Sequence, residues 1–403
     1  MLGSAVLRAE VSSSDWIQFR GNAGLGLAKG NPPVKWGGEE NIVWREAVPG
    51  SGWSSPVVKG GRIYLTSSVE GVSADGSLGL YCFDSGSGKM LWHRELFDLP
   101  KDGVKHSKNS HASSTPVIGG DRIYVHFGHF GTACVTAKGE VIWKQESLAY
   151  KPVHGNGGSP ILVGDRLIYS ADGSQDPVLV ALDANTGDLL WKRVRETAAS
   201  RKFSFSTPTL ITTSYRKVLV SPASGAVFGY DPVSGTELWR VDYGQGYSVV
   251  PRPVYEDDHV YVATGFGRPK VMAIRLGGVG NVTDSHVTWE TSRSGPKTPS
   301  MLVNAGRLYF VSDGGIVSCV HALTGESIWQ DRVKGNVSAS PVLAGGRIYI
   351  STEEGMVYVV SAGEEFQILA ANDFKERIFA SPAVIGDALI IRTESNLYRI
   401  EEK

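Results

Sequence analysis

The 403-residue sequence carries almost no net charge, with 40 Lys and Arg against 41 Asp and Glu. Non-specific nucleic-acid binding rests on a dense basic surface, so no nucleic-acid partner is expected. No apolar run approaches the ~18 residues that a membrane-spanning helix needs, so no membrane span is expected. Cysteine is scarce: Cys82, Cys134 and Cys319 each stand nine or ten residues before a Trp (Trp92, Trp143, Trp329), at nearly the same point of three different repeats. That spacing predicts separate, buried, reduced thiols, because a disulfide needs Cα atoms within about 7 Å. Three catalytic signatures are absent: the GxSxG elbow, the HExxH zinc pair and the P-loop lysine. The start, Met1 to Ser14, is mildly apolar but lacks the basic beginning and longer apolar core of a full signal peptide. It reads either as the tail of a truncated signal or as a disordered leader.

Glycine is plentiful, at 49 residues. This suits a chain making many tight turns with positive φ. Repetition is the dominant signal. A small residue, Pro, an apolar run, a turn and a second apolar run recur eight times, as in SPVVKGGRIYL from Ser55, SPILVGDRLIY from Ser159 and SPVLAGGRIYI from Ser340. The prolines are Pro56, Pro116, Pro160, Pro208, Pro253, Pro299, Pro341 and Pro382, mostly 41 to 48 residues apart. That period is the length of a four-stranded propeller blade. A second phrase follows in most repeats, such as ALDANTGDLLW ending at Trp191 and GYDPVSGTELW ending at Trp239. It reads as a strand, an Asp…Gly turn, and an outer strand whose Trp packs on the neighbouring blade.

The pattern predicts an all-β fold: a single eight-bladed β-propeller with four antiparallel strands per blade. The last repeat has only three strands, and NIVWREAV (Asn41 to Val48) supplies the fourth, closing the ring with the N-terminal strand. The expected organisation is residues 1–40 as leader and N-terminal extension and 41–403 as propeller. Two departures from the repeat stand out. Leu369 occupies the expected Trp position of the seventh blade, and Gly277 to Ser285 form an inserted loop before Trp289 in the fifth.

These phrases resemble the propellers built from pyrroloquinoline-quinone (PQQ) type repeats, a quinoprotein alcohol dehydrogenase-like superfamily that includes BamB-like secreted repeat proteins. The resemblance covers about residues 41 to 403, and the opening WIQFRGNAGLG from Trp16 is similar to the start of secreted members. It implies a bacterial periplasmic or secreted setting, and either a non-catalytic scaffold or a PQQ- and calcium-dependent dehydrogenase. The adjacent cysteine pair of the large dehydrogenases is missing here.

In such a fold the connections entering the inner strand and the loops between the second and third strands gather on one face, around the axis. The repeated Asp…Gly turns lie on the other face and read as structural. The entering connections are unusually polar and bring Trp53, Lys108, Asn109, His111, His154, Asn156, Lys202, Tyr247, Lys297, Asn336 and Arg377 near the axis. Arg252 stands where other repeats have Ser or Thr, and a buried guanidinium there needs an anionic ligand or an acid of a neighbouring blade. At the ends of the second strands, His126 and Arg392 are the odd members of a further ring, followed by Asp172, Asp313, Glu353 and Glu394. The last four are the only acids to nominate for calcium or for a base. The predicted result is a cationic, polar funnel for a small anionic or carbohydrate ligand, unless a protein partner occupies the rim. His106, His111, His126, His129 and His154 cluster in and beside the second and third blades, but no Cys or Asp completes a ligand set, so no metal site is assigned. The function classes left open are a binding or scaffold propeller, a quinone dehydrogenase, and an anionic-polysaccharide binder or lyase. A monomer is expected.

Overall fold

The computed structural model describes residues 15–71, 75–101, 103–148 and 150–403, so the reading of Met1 to Ser14 lies outside the described residues. Eight antiparallel sheets are arranged as an eight-bladed propeller. We number the blades 1–8 in chain order and letter their strands A to D from the axis outward. Blade 3 shows the unit: Ile161–Val163 (A), Arg166–Ala171 (B), Val178–Asp183 (C) and Leu189–Val194 (D), each hydrogen-bonded to the next. Strands B and C are buried along almost their whole length, while strand D is buried mainly at its Trp. The core therefore lies between blades. Val57, Leu80 and Cys82 of blade 1, for example, pack with Ile123, Val125 and Ala133 of blade 2. All three cysteines are free and buried in these layers, and burial pushes the Cys82 thiol up to about 12.

The ring closes as the repeat count requires. Ile42–Ala47 pairs antiparallel with Asn396–Ile400, so the chain's beginning supplies strand D of blade 8. On the outside, five of the strand-D tryptophans, Trp44, Trp92, Trp143, Trp191 and Trp289, lie over the turn glycine of the next blade. A Cβ on Gly88 would stand 2.7 Å from Trp44, and one on Gly187 would stand 2.7 Å from Trp143. Some of these indoles also donate to the same turn, as Trp143 Nε1 does to the Ala184 carbonyl at 3.1 Å. The Asp of the turn accepts from the N–H groups that follow it, as Asp183 does from Asn185 and Thr186. The Asp…Gly…Trp phrase thus records two constraints: a left-handed turn residue, and a flat plate from the preceding blade pressed on it.

On the inside a hydroxyl ring joins the blades. The N–H of Ser55 donates to Thr115 Oγ1, that of Thr115 to Ser159 Oγ, and that of Ser159 to Thr207 Oγ1, at 2.9–3.0 Å. The series resumes from Arg252 N to Ser300 Oγ, then runs through Ser340 and Ser381 back to Ser55, at 2.8–3.0 Å. The Ser/Thr before six of the eight prolines is therefore a linker between neighbouring blades. Blade 6 corrects the sequence alignment: its ring residue is Ser300 rather than Thr298, because Leu302 pairs with Tyr309 as Val57 pairs with Tyr64.

Residues 15–40 are built into the propeller. Trp16 bridges to Val58 on the inner strand of blade 1, the Ile118 N–H donates to the Ile17 carbonyl, and Leu27–Ala28 adds in parallel to strand A of blade 7. Further along, Trp36 packs in the cluster that contains Leu369, supplying an indole beside the blade that lacks its own. The insert before Trp289 has a role of the same kind. Its Gly280–Asn281 adds in parallel to Trp239 and Arg240, a fifth strand on the outer edge of blade 4.

The outer contact can be tested with two glycines. Gly187 (φ +79°) lies against Trp143, whereas Gly346 (φ +71°) has no atom within 4 Å of its ideal Cβ. Gly346→Ala should cost about 1 kcal/mol for the left-handed backbone alone. Gly187→Ala should cost about 1–3 kcal/mol more for displacing the indole. Urea unfolding of both variants checks this, and equal losses would contradict the contact.

Candidate functional site

Strand alternation builds a cup at the axis. The ring residues Ser55, Thr115, Ser159, Thr207, Ser300, Ser340 and Ser381 line its lower tier. Two residues earlier in every blade, on the same side of the extended chain, come Trp53, Ser113, Gly157, Phe205, Val250, Thr298, Ser338 and Phe379, and all eight line a second tier. His106, Lys108, Asn109, His154, Arg201, Tyr247, Phe266, Lys297 and Asp313 form the mouth. The enclosed volume is about 490 Å³, within the ~300–1,000 Å³ usual for small-molecule pockets.

The base of the cup is closed by the chain itself. Phe19 lines the floor, and its carbonyl accepts from Arg252 Nη1 at 2.5 Å. Arg252 also donates to Gln18 Oε1 and Thr209 Oγ1, both at 3.2 Å. Arg20, in a left-handed conformation (φ +65°), sends its guanidinium to the carbonyls of Leu25, Met301, Pro341 and Ser300. Two glycines make room: a Cβ on Gly24 would lie 2.2 Å from Arg252 Cζ, and one on Gly26 would lie 2.5 Å from Arg20 Nη2. Both guanidinium groups are fully enclosed, and burial lowers both to about 9. Carbonyl and amide oxygens hold them in place of an acid.

Eight of the residues singled out from the sequence line the cup: Trp53, His106, Lys108, Asn109, His154, Tyr247, Lys297 and Asp313. Glu353 joins them through Lys108, whose Nζ reaches its Oε1 at 2.8 Å, and through the Ser338 hydroxyl at 2.6 Å. This ion pair links the connection entering blade 2 to blade 7, across blades 1 and 8 at the mouth. Arg377 stands at the rim with its guanidinium 4.8 Å from the Phe379 ring centre and 6.0 Å from that of Trp53.

The remaining candidates lie elsewhere. Arg252 faces the plug that residues 16–26 form at the base of the cup, rather than a ligand or an acid. Arg392 is buried and ties blade 8 to blade 1 through the carbonyls of Ser54 and Thr66 and the Ser54 hydroxyl. His126 is 1% exposed, bonded to Thr132 Oγ1 and 4.0 Å from the Tyr169 ring. The predicted ring at the strand-B ends is thus covered by the next blade's side chains. His111 and Asn156 are buried beside the mouth without lining the cup, and Lys202 is exposed outside it. Arg201, one residue earlier, is the cation that enters, with its guanidinium 4.5 Å from the Tyr247 ring centre. Phe205, Phe266 and Phe379 were also missed. For Phe205 and Phe379 the signal was available, since each stands two residues before a Ser/Thr-Pro.

The nominated carboxylates are engaged. Asp172 is buried against Arg195, Asp313 accepts from the Lys297 N–H and the Thr298 hydroxyl, and Glu353 is held as above. Glu394 lies 3.9 Å from Arg377. Among the described residues no three His, Cys, Asp or Glu side chains converge as a metal set. These residues do not fit a calcium-held quinone.

The buried imidazoles impose a pH dependence. Burial, and secondarily His129, pushes His126 down to about 3. Burial likewise lowers His111, His129 and His154. A depressed folded-state value means that the unfolded chain binds the proton first. Stability is therefore fully present above pH ~6.5 and lost as pH falls toward 3. In urea titrations across that window His126→Gln should lose midpoint less steeply than the parent; equal slopes would contradict a neutral buried His126.

Comparison with known proteins adds the family. BamB of Burkholderia pseudomallei is 22% identical over 356 residues, 85% of this chain and 85% of the relative. BamB of Legionella pneumophila is 23% identical over 190 residues, and there the chain spans about half of the relative, 47%. Among solved structures, BamB from Moraxella catarrhalis superposes with a TM-score of 0.65 at 16% identity, covering 90% of this chain and 97% of that one. A europium-containing methanol dehydrogenase gives 0.71 at 12% identity, covering 97% and 98%, a likeness of fold alone. The family model described as outer membrane protein assembly factor BamB matches residues 37–149, 75–330 and 275–373, and the chain belongs to that family.

Proposed function

We propose that the chain is a non-catalytic binding propeller of the bacterial envelope, periplasmic or secreted, whose cup receives an anionic group borne by a partner or a ligand. The observation that carries this reading is the imbalance of partners at the cup. Its acids, Asp313 and Glu353, are already bonded. Arg201 and the Lys297 ammonium instead face the rings of Tyr247 and Phe266, and among the described residues neither has an acid partner. A cation over a ring inside a concave wall keeps its charge available for an incoming anion. A proton-abstracting or hydride-accepting site would need a free carboxylate or an accessible imidazole in reach of substrate. The carboxylates here are spent and His126 is enclosed. The two imidazoles at the mouth, His106 and His154, pack edge to face on each other, and among the described residues neither is bonded to a carboxylate that would orient it as a base. The assembly-factor description of the relatives agrees with a binding role.

A thermal-shift series with citrate, inorganic phosphate, acetyl-Glu-Glu-Glu-amide and trigalacturonate checks the reading. At least one anion should raise the unfolding temperature of the parent and not that of the double variant Arg201→Gln/Lys297→Gln. In parallel, PQQ with calcium and 1-butanol should leave an acceptor dye unreduced. Absence of any anion effect, or steady dye reduction, would overturn the proposal.

A further inference from the structure

We infer that the ligand class of the cup is an acidic sugar, a hexuronate unit of an oligosaccharide; this rests on the anion-binding reading above. Three independent features of the cup converge on that chemistry.

The first is a set of unused donors at the floor. The hydroxyl oxygens of Ser55, Thr115, Ser159 and Thr207 accept backbone N–H groups around the ring, but among the described residues their own protons have no acceptor. All four residues line the cup, and each is 3% exposed or less. A buried hydroxyl proton without an acceptor favours a ligand rich in oxygen acceptors. The second feature is a pair of aromatic walls. Trp53 and Phe379, with ring centres 4.6 Å apart, belong to blades 1 and 8. Phe205 of blade 4 stands on the far side of the ring. Rings on opposite walls with hydroxyls beneath suit a flat, partly apolar body edged with oxygens. A pyranose ring presents that combination. The third is the two cations Arg201 and Lys297, over the rings of Tyr247 and Phe266 in the cup's lining, which suit a carboxylate on the same body.

An acidic peptide answers the cations but not the floor. A peptide in an extended pose needs backbone N–H and C=O partners. Six of the eight ring positions are a Ser or Thr followed by Pro, which has no N–H. Most of the ring's own N–H groups are already bonded to the next blade. The lower tier therefore offers hydroxyl protons in place of a backbone ladder.

Isothermal titration with three probes decides the matter: trigalacturonate, its trimethyl ester, and acetyl-Glu-Glu-Glu-amide. Trigalacturonate should bind at least tenfold more tightly than either of the others. Arg201→Gln/Lys297→Gln should bring it to the level of the ester. Phe205→Leu should weaken it at least fivefold with little change in the peptide's affinity. Lys202→Gln, outside the cup, should leave the affinity unchanged, and unfolding temperatures confirm that each variant is folded. Equal binding of ester and acid would overturn the role of charge. A peptide that binds as tightly as the sugar would overturn the sugar assignment while leaving an anion-binding cup. Binding of none of the three, where citrate or phosphate still stabilises the protein, would overturn the sugar class alone.

Discussion

The structure depends on how eight blades are held around one axis. Each inner strand begins at an edge with no further strand to pair with, and most of these strands carry Pro there. The N–H just before the Pro must find an acceptor, and the next blade's Ser or Thr hydroxyl provides it. A hydrogen bond of this kind is worth only about 1 kcal/mol net, but the same link recurs between neighbours and fixes each blade's position along the axis. Seven links form. The eighth would start at Thr207 and meet Arg252, which has no hydroxyl, and that single break shapes the rest of the site.

Because Arg252 cannot complete the ring, its guanidinium points down the axis and needs acceptors. The N-terminal segment brings them: the Phe19 carbonyl and the Gln18 side chain. Arg20 of the same segment is held in turn by carbonyls of Ser300, Met301 and Pro341, which take its two Nη groups. Two buried cations, each held by oxygens from the other's side, stitch the plug to blades 5, 6 and 7. A channel that would pass through the propeller becomes a cup with one mouth. The cup's wall then inherits its chemistry from the phase of the strands: hydroxyls on the ring position, variable side chains two residues earlier, and cations and aromatic rings in the connections above.

Much of this architecture is legible in the sequence, because periodicity fixes it. The eight Pro-centred phrases, the Asp…Gly…Trp turns and the surplus strand at Asn41 to Val48 give blade number, strand order and ring closure. The site is less legible. Arg252 is visible as an anomaly, but two of its three side-chain partners, Gln18 and Phe19, lie in residues 16–26, which follow no repeat and so announce no contact. His126 and Arg392 look like funnel residues until the adjoining blade covers them, since burial between blades depends on twist and spacing that a linear pattern does not carry. In blade 6, Thr298-Pro299 imitates the repeat two residues early, and only the pairing of Leu302 with Tyr309 places Ser300 on the ring. Phe205 and Phe379 stand in connections whose polar residues draw the eye, although their phase relative to the ring residue already assigns them to the cup.

The central claim is that the break at Arg252 is what holds the plug in place. Hydrogen–deuterium exchange of Arg252→Ser measures this directly, because Ser restores the missing hydroxyl for the Thr207 N–H and removes the guanidinium that grips Phe19. The account predicts faster exchange across residues 16–26, with blades 4 and 5 as protected as in the parent. Unchanged exchange in 16–26 would contradict it, since the plug would then be held without the arginine.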